Sequence, residues 1–473
     1  PMNPSTLINP ILASGGDHGY LYGLFFLILA LIIGAAARHF LNKVPLPFTV
    51  VLMLIGLGLG FAFRGAHEGG AHAAGHGAGH DGFLAKLMDA LRGSIEWGAN
   101  LDPHLILYVF LPILIFEAAY ALDVHVFKKS FWNAFYMAGP GIVTATLMTG
   151  GCVMVIYSLG WGLTEWNIGT GNLGLYLAML FGAVVSATDP VAVVALLKEL
   201  GASKKLGTLI EGESLLNDGT AIVAFVVLIG AVTGASVFTV GSAVSGFFVI
   251  GLGGAALGIV VGLVGVAWVK RVFNDPLVET SVMLVTAYLV FYACEHFFAI
   301  SGVLGLVTLG LVWAGMGRTR ISPEVQHFMH EFWEFTAFVA NVIIFIVVGV
   351  VIALKVQPQP IDYLVLALVY LTIHLVRMVN ILALYPIMRK TGYGLPKKDA
   401  VVVWWGALRG AIGLALALVV YGQAPEMHFE VKNGGHGYTA DSKVFFVDAD
   451  GKREPLEDVT ITLAAAHGES HDD

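Results

Sequence analysis

Charge is scarce in this chain. Of its 473 residues only 12% are Asp, Glu, Lys or Arg, while 57% are hydrophobic, against about 25% charged and 45–50% apolar in soluble domains. With a mean hydropathy of +0.81, that balance excludes a water-soluble enzyme. Basic runs are absent and the net charge is −8, so nucleic acid is not an expected partner. Cysteine is nearly missing as well. Cys152 and Cys294 both lie inside apolar runs and form neither a disulfide framework nor a metal spacing. Glycine, by contrast, is plentiful at 58 residues, well above the usual ~7%, and transmembrane helices use glycine where backbones approach closely. These features describe an all-α polytopic membrane protein.

A helix needs about 20 apolar residues to cross a bilayer. Such stretches lie near 18–38, 46–63, 102–122, 132–158, 172–198, 206–233, 237–269, 276–295, 300–316, 327–354, 361–387 and 399–421, which predicts twelve spans. The first has too long an apolar stretch, and no basic region before it, to be a signal peptide. With the N-terminus outside, fifteen Lys and Arg fall in the cytoplasmic connections and four in the short outside loops, the asymmetry that sets orientation. Residues 1–421 thus read as one membrane domain. Within it, 64–100 reads as a Gly/His-rich outside loop carrying His67, His72, His76 and His80. His-rich tracts bind metal, but so much glycine favours a flexible loop without fixed ligand geometry. The tail 422–473 holds 11 acidic residues and no apolar run long enough to span.

Ionisable groups inside spans are costly and therefore informative. A charge at the bilayer centre costs about 2.5–3.5 kcal/mol even on insertion scales. In the fifth span Pro190 follows Thr188 and Asp189. Proline removes a backbone donor and clashes with the preceding turn, so the helix is expected to break there. Unwound carbonyls and half-helix ends are how many transporters build a midplane cation site; a bare kink is the bland alternative. The sixth span carries Glu211, Glu213, Ser214, Asn217 and Asp218 within eight residues. Ser214 and Asp218 share a helix face, as do Glu213 and Asn217. Hard cations favour oxygen ligands, and a carboxylate out of water holds its proton toward neutral pH. One such group can bind a cation or a proton, hardly both, and that competition is the chemistry of an antiporter. Glu211 reads instead as a solvated charge at the span's end.

Buried acids need counter-charges, and two arginines lie inside spans. Arg377 and Arg409 each sit about ten residues from a cytoplasmic end, too deep for easy snorkelling, so both are expected to pair. Glu117 reads equally as a funnel group or as a helix-packing hydrogen-bonder. Glu331 and Glu334 read as interfacial. Gly254, Gly258 and Gly262 form a G-x-x-x-G ridge for helix packing, and Trp404 and Trp405 belong to a belt or to the core. No nucleophile–base pair or metal motif suggests an enzyme, so no catalytic residue is assigned.

The segments FLPILIFE (110–117), ATDPVAVVALLKELG (187–201), EGESLLNDGTAI (211–222) and GALRGAIGLALAL (406–418) resemble the monovalent cation/proton antiporters of the Na⁺/H⁺ exchanger type. The wording is most similar to the plant plasma-membrane and sperm-type exchangers, over roughly residues 40–420. The resemblance implies an inverted-repeat antiporter fold with discontinuous crossing helices, a core and a dimerisation domain, elevator-like alternating access and a homodimer. It implies Asp218 as the shared Na⁺/H⁺ carboxylate with Asn217 beside it, an Asn-Asp pair that suggests electroneutral 1:1 exchange. Thr188 would offer its backbone carbonyl, with Ser214 and Asp189 assisting, so that Na⁺ sits at Asp218, Thr188 and Ser214. Glu213 would pair with Arg377, and Arg409 would offset helix-end dipoles at the crossing. The family usually has thirteen spans, so a twelve-span chain is expected to be truncated before the last. The expected function is exchange of Na⁺ (or Li⁺) for H⁺ in a plasma membrane, or an inner membrane if bacterial. The expected partners are small cations, membrane lipid and a second copy, with no cofactor. K⁺/H⁺ exchange, or a sensor or channel on the same fold, is the alternative.

Overall fold

The computed structural model describes residues 19–41, 46–69, 83–158, 172–233, 239–272, 275–321, 323–357, 359–406, 408–423, 445–447 and 453–455. Helices make up nearly all of it. They run α1 (Gly19–Phe40), α2 (Phe48–Gly69), α3 (Phe83–Ala99), α4 (Pro103–Ala121), α5 (Val124–Ala138), α6 (Pro140–Ser158), α7 (Asn172–Ser186) and α8 (Val191–Glu199). After these come α9 (Lys204–Val232), α10 (Val240–Val269), α11 (Pro276–Phe298), α12 (Gly302–Gly317), α13 (Pro323–Lys355), α14 (Pro360–Met388), α15 (Lys397–Trp405) and α16 (Ala411–Gln423). In the polar tail, Phe445–Val447 pairs antiparallel with Arg453–Pro455.

Among the described residues eight helices are long and apolar enough to cross a membrane: α1, α4, α5 with α6, α9, α10, α11, α13 and α14. The other four expected spans fall on shorter apolar helices, Phe48–Arg64, Gly174–Ser186, Gly302–Gly317 and Ala411–Tyr421. Two departures have local causes. The fourth expected span starts at Val124 instead of 132, because Asp123 caps α5 by accepting from the N–H groups of His125 and Val126 at 3.1 and 3.2 Å. Part of the expected outside loop is the helix α3. Its apolar residues Leu87, Leu91 and Ile95 recur every fourth position, and Ser94 and Ile95 are buried. Trp97 of α3 packs on Phe26 of α1, ring centroids 6.1 Å apart. The side chain of His67, together with His72, His76 and His80, lies outside the described residues.

Lipid is as apolar as leucine, so close van der Waals contact, rather than water exclusion, decides which membrane helices pair. Gly254 and Gly258 of α10 show this. A Cβ there would come within 2.1 Å of the Ser301 carbonyl oxygen and 2.0 Å of that of Gly305, while Gly262 faces Val312. The ridge therefore packs inside the chain, against α12. Gly56 of α2 and Gly349 of α13 bring two other backbones equally close.

Two buried clusters result. One gathers α4, α5, α7, α9, α11 and α12 around Phe116, Leu306 and Trp333. The second joins α1, α2, α3 and α13, and includes Ala411 and Ala415 of α16. Helix α9, which carries the acidic motif, is half enclosed by the first.

Candidate functional site

Helix α7 stops at Ser186 and α8 starts at Val191, so the expected break at Thr188–Pro190 is present. Proline at a helix start loses a donor the helix did not need, and Asp189 supplies the cap, its Oδ1 accepting from the Val191 N–H at 2.9 Å. A second break separates α15 from α16 at 406–410. The apolar pattern alone shows no break there, because GALRG lacks proline and is apolar apart from Arg409; a crossing at Arg409 is what the resemblance implies. The two breaks meet. The Asp189 N–H donates to the Leu408 carbonyl at 2.8 Å, forming an isolated antiparallel bridge. Gly410 makes that approach possible, since a Cβ there would lie 2.5 Å from the Asp189 Cβ.

Helix α9 runs past this crossing and holds it by side chains. The Ser214 hydroxyl donates to the Thr188 carbonyl, and Asn217 Nδ2 donates to Thr188 Oγ1 at 2.9 Å. Ser214 and Asn217, three residues apart, thus engage Thr188 together, a grouping different from the four-residue pairs drawn from the sequence. All three are buried. Asn217 Oδ1 is buried with no hydrogen-bond partner among the described residues, leaving an acceptor beside the break.

Asp218 is half-buried. Among the described residues its carboxylate takes no hydrogen bond or ion pair, and it feels the like charges of Asp189 and Glu213. It is a carboxylate kept available. Glu213 is turned elsewhere. It receives two hydrogen bonds from Arg377, at 3.1 and 3.0 Å, the bidentate geometry that makes such pairs strong. Arg377 also donates to the Val403 carbonyl, from Nε at 3.2 Å and Nη2 at 3.0 Å. Val403 lies in the last turn of α15, whose carbonyls no helical N–H reaches. A single guanidinium therefore ties α9 to a broken-helix end. Arg409 lies in the second break and acts with Arg377 and Glu213 in the same charge cluster.

A cavity of about 40 Å³ opens beside this cluster, lined by Ser186, Thr188, Asn217, Arg377, Asn380 and Arg409 among others. Its size suits about one water. Asp218 is not among its walls, so the cavity lies on the Thr188 side of α9. Sequence reasoning passed over Asn380. It accepts from Thr144 Oγ1 at 2.7 Å and donates to the Gly141 carbonyl at 3.1 Å, pinning α14 to α6. Its place three residues after Arg377, on the same helix face, was the available signal. Glu211 is half-buried in α9, so it is not the freely solvated end charge expected. Glu331 and Glu334 are exposed, with side chains 67% and 58% accessible.

Comparison with known proteins follows this geometry. A family model described as the transmembrane sodium/hydrogen exchanger matches residues 27–431. The chain is 37% identical over 417 residues to sodium/hydrogen exchanger 7 of Arabidopsis thaliana, covering 87% of this chain and 34% of that protein. It is 36% identical to sodium/hydrogen exchanger 8 of the same plant, covering 85% and 50%. The chain thus spans between a third and a half of these two relatives. It is 32% identical to the Na⁺/H⁺ antiporter ApNhaP of Aphanothece halophytica, covering 84% of this chain and 67% of that one. In fold it is similar to the sodium proton antiporter MjNhaP1 of Methanocaldococcus jannaschii, with a TM-score of 0.66 at 17% identity, covering 86% and 88%.

Proposed function

Because this chain belongs to the transmembrane sodium/hydrogen exchanger family, we propose that it exchanges Na⁺ (or Li⁺) for H⁺ at Asp218, one ion for one proton, by alternating access. The observation that carries this reading is that Ser214 and Asn217, the helix α9 neighbours of Asp218 in the same acidic motif, hold the carbonyl and hydroxyl of Thr188 at the helix break. In this reading the Asp218 carboxylate, the Thr188 backbone carbonyl and the Ser214 hydroxyl supply the oxygen ligands. Oxygen ligands of that kind suit a hard monovalent cation, and the carboxylate binds a proton in the cation's absence.

Charge counting supports the stoichiometry. Asp189, Glu213 and Asp218 bring three negative charges when ionised, and Arg377 and Arg409 bring two positive ones. The deficit of one is filled by a single proton or a single Na⁺, so the loaded site is neutral either way. Asn217 in place of a second acid keeps it so. The carboxylate pair that would demand two protons is missing from the motif.

The rest of the reading follows the family. The cluster containing α9 acts as the moving core and the cluster built on α2 and α13 as the scaffold, in a homodimer with an inverted repeat and the N-terminus outside. The membrane is the plasma membrane, or an inner membrane if the source is bacterial. The test is a flux measurement in proteoliposomes with a trapped pH dye. Na⁺ or K⁺ is pulsed with and without an imposed voltage. Proton flux that follows Na⁺, prefers it over K⁺ and ignores the voltage supports electroneutral exchange. A flux that scales with voltage defeats the 1:1 assignment, and one that follows K⁺ alone defeats the Na⁺ assignment.

A further inference from the structure

A second, larger cavity lies away from the ion cluster. Its volume is about 450 Å³, and its walls are Tyr120, Ala121, Arg318, Gln326, His327 and His330. That is within the ~300–1,000 Å³ of small-molecule sites. None of these residues belongs to the cluster around Asp218. The cleft forms where the end of α4 meets the start of α13, with the chain leaving α12 between them.

The local backbone explains why an arginine points here. Helix α12 ends in a π turn, Trp313–Gly317, in which the Arg318 N–H reaches back five residues to the Trp313 carbonyl at 3.0 Å. Such turns are rare and are frequent at functional sites. The extra residue aims Arg318 at α4. There it donates to the Tyr120 carbonyl and lies over the Tyr120 ring, 4.9 Å from the centroid. A guanidinium has five N–H donors, so one bond to Tyr120 leaves others for a ligand.

The remaining walls are also donors. His327 and His330 lie on α13 beyond its first turn, and each imidazole offers a ring N–H. Gln326 sits beside them. Tyr120 is 1% exposed and forms the closed back of the cleft beneath Arg318. No carboxylate is in the wall. Glu331 stands next to it, 3.7 Å from His327 Nε2, and has a side chain 67% exposed. Apart from Ala121 the wall presents no aliphatic side chain, which argues against an apolar ligand.

The Arg318 guanidinium fork on one side and the Gln326, His327 and His330 donors of α13 on the other match a tetrahedral oxyanion. We propose that the Tyr120–Arg318–His327–His330 cleft binds a phosphate group, carried either by a lipid headgroup or by a soluble molecule. The proposal does not rest on the exchange reading, because its readout is binding.

The test uses the full chain, purified in neutral detergent, with thermal unfolding followed by tryptophan fluorescence. Inorganic phosphate is titrated at constant ionic strength against chloride, and short-chain phosphatidylglycerol is titrated separately. The expected result is a saturable rise in the unfolding midpoint with at least one probe. Its apparent affinity should fall about tenfold or more in H327A/H330A, as loss of two donors to a charged ligand implies, and in R318Q. It should persist in D218N. A response to phosphate assigns a soluble ligand, and a response confined to phosphatidylglycerol assigns the headgroup. His327 is 75% exposed and His330 is exposed, so the double histidine variant keeps its fold. No saturable shift with either probe, or an equal shift in H327A/H330A, overturns the proposal.

Discussion

Replacing Arg377 by methionine strips Glu213 of its counter-charge. The side chains of the pair are only 15% and 3% exposed, so solvent cannot take over the lost role. Four hydrogen bonds disappear, two from the guanidinium to Glu213 and two to the Val403 carbonyl. Breaking a buried pair from one side costs about 3–5 kcal/mol, whereas replacing both partners by apolar groups of similar volume is close to neutral. R377M should therefore cost about 3–5 kcal/mol, and E213L a similar amount. The double variant should cost less than the sum of the two by at least ~2 kcal/mol, within the coupling seen for contacting residues. Some loss will remain in the double variant because the Val403 carbonyl stays unpaired. Unfolding in mixed micelles, followed by the nine tryptophans, measures all three. Additive costs, or a cost for R377M below ~1 kcal/mol, would refute the assignment of this pair as the bolt between α9 and α15.

Other outcomes follow from single contacts. G410A places a Cβ 2.5 Å from that of Asp189, so the two breaks must separate. The expected cost is about 1–3 kcal/mol, as in overpacked cores, with cation-dependent proton flux lost while the chain still folds; full flux in G410A would show that the crossing is not part of the site. G258V drives a side chain into the Gly305 carbonyl and should lower the unfolding midpoint, whereas V249A, on an exposed face of α10, should leave it unchanged; equal effects would contradict the α10–α12 contact. The hydrogen bond from Lys204, followed by that from the Val126 N–H, holds the Asp123 carboxyl below the usual carboxylate range. A lowered folded-state value means the stabilisation is present above pH ~4 and is lost as pH falls through the folded value. Lys204 is 73% exposed, so only a few tenths of a kcal/mol are involved. D123N keeps the helix cap and should differ from wild type at pH 7 and converge with it near pH 3, in thermal melts at low salt; a constant difference would exclude the ion pair as its source.

How much of this is legible in the sequence depends on whether a residue carries its own signal. Pro190 does: it removes a backbone donor and crowds the preceding turn, and the break lies just before it. The partner break at 406–410 has only Gly406 and Gly410 to mark it, and glycine is common in membrane helices for packing reasons. An apolar window therefore runs through it, and a crossing at Arg409 is implied only by the family resemblance. The acidic motif of α9 stood out because charges are rare in spans. Its division of labour was less legible. Helical spacing puts Ser214 with Asp218, yet Thr188, arriving from another helix, selects Ser214 with Asn217. The Glu213–Arg377 pair joins residues 164 positions apart, a distance that residue chemistry alone cannot bridge; it came from the family resemblance. Helix α3 was hidden by the Gly/His run before it, and the π turn that aims Arg318 has no composition of its own.

The central claim is that Asp218 carries both ions. The direct measurement is Na⁺-driven proton flux in proteoliposomes containing wild type or D218N, with folding of both checked by thermal melts. Asparagine keeps the size and removes the charge, so the account requires a folded variant without cation-dependent flux. D218N with wild-type flux would contradict it and move the site elsewhere in the chain.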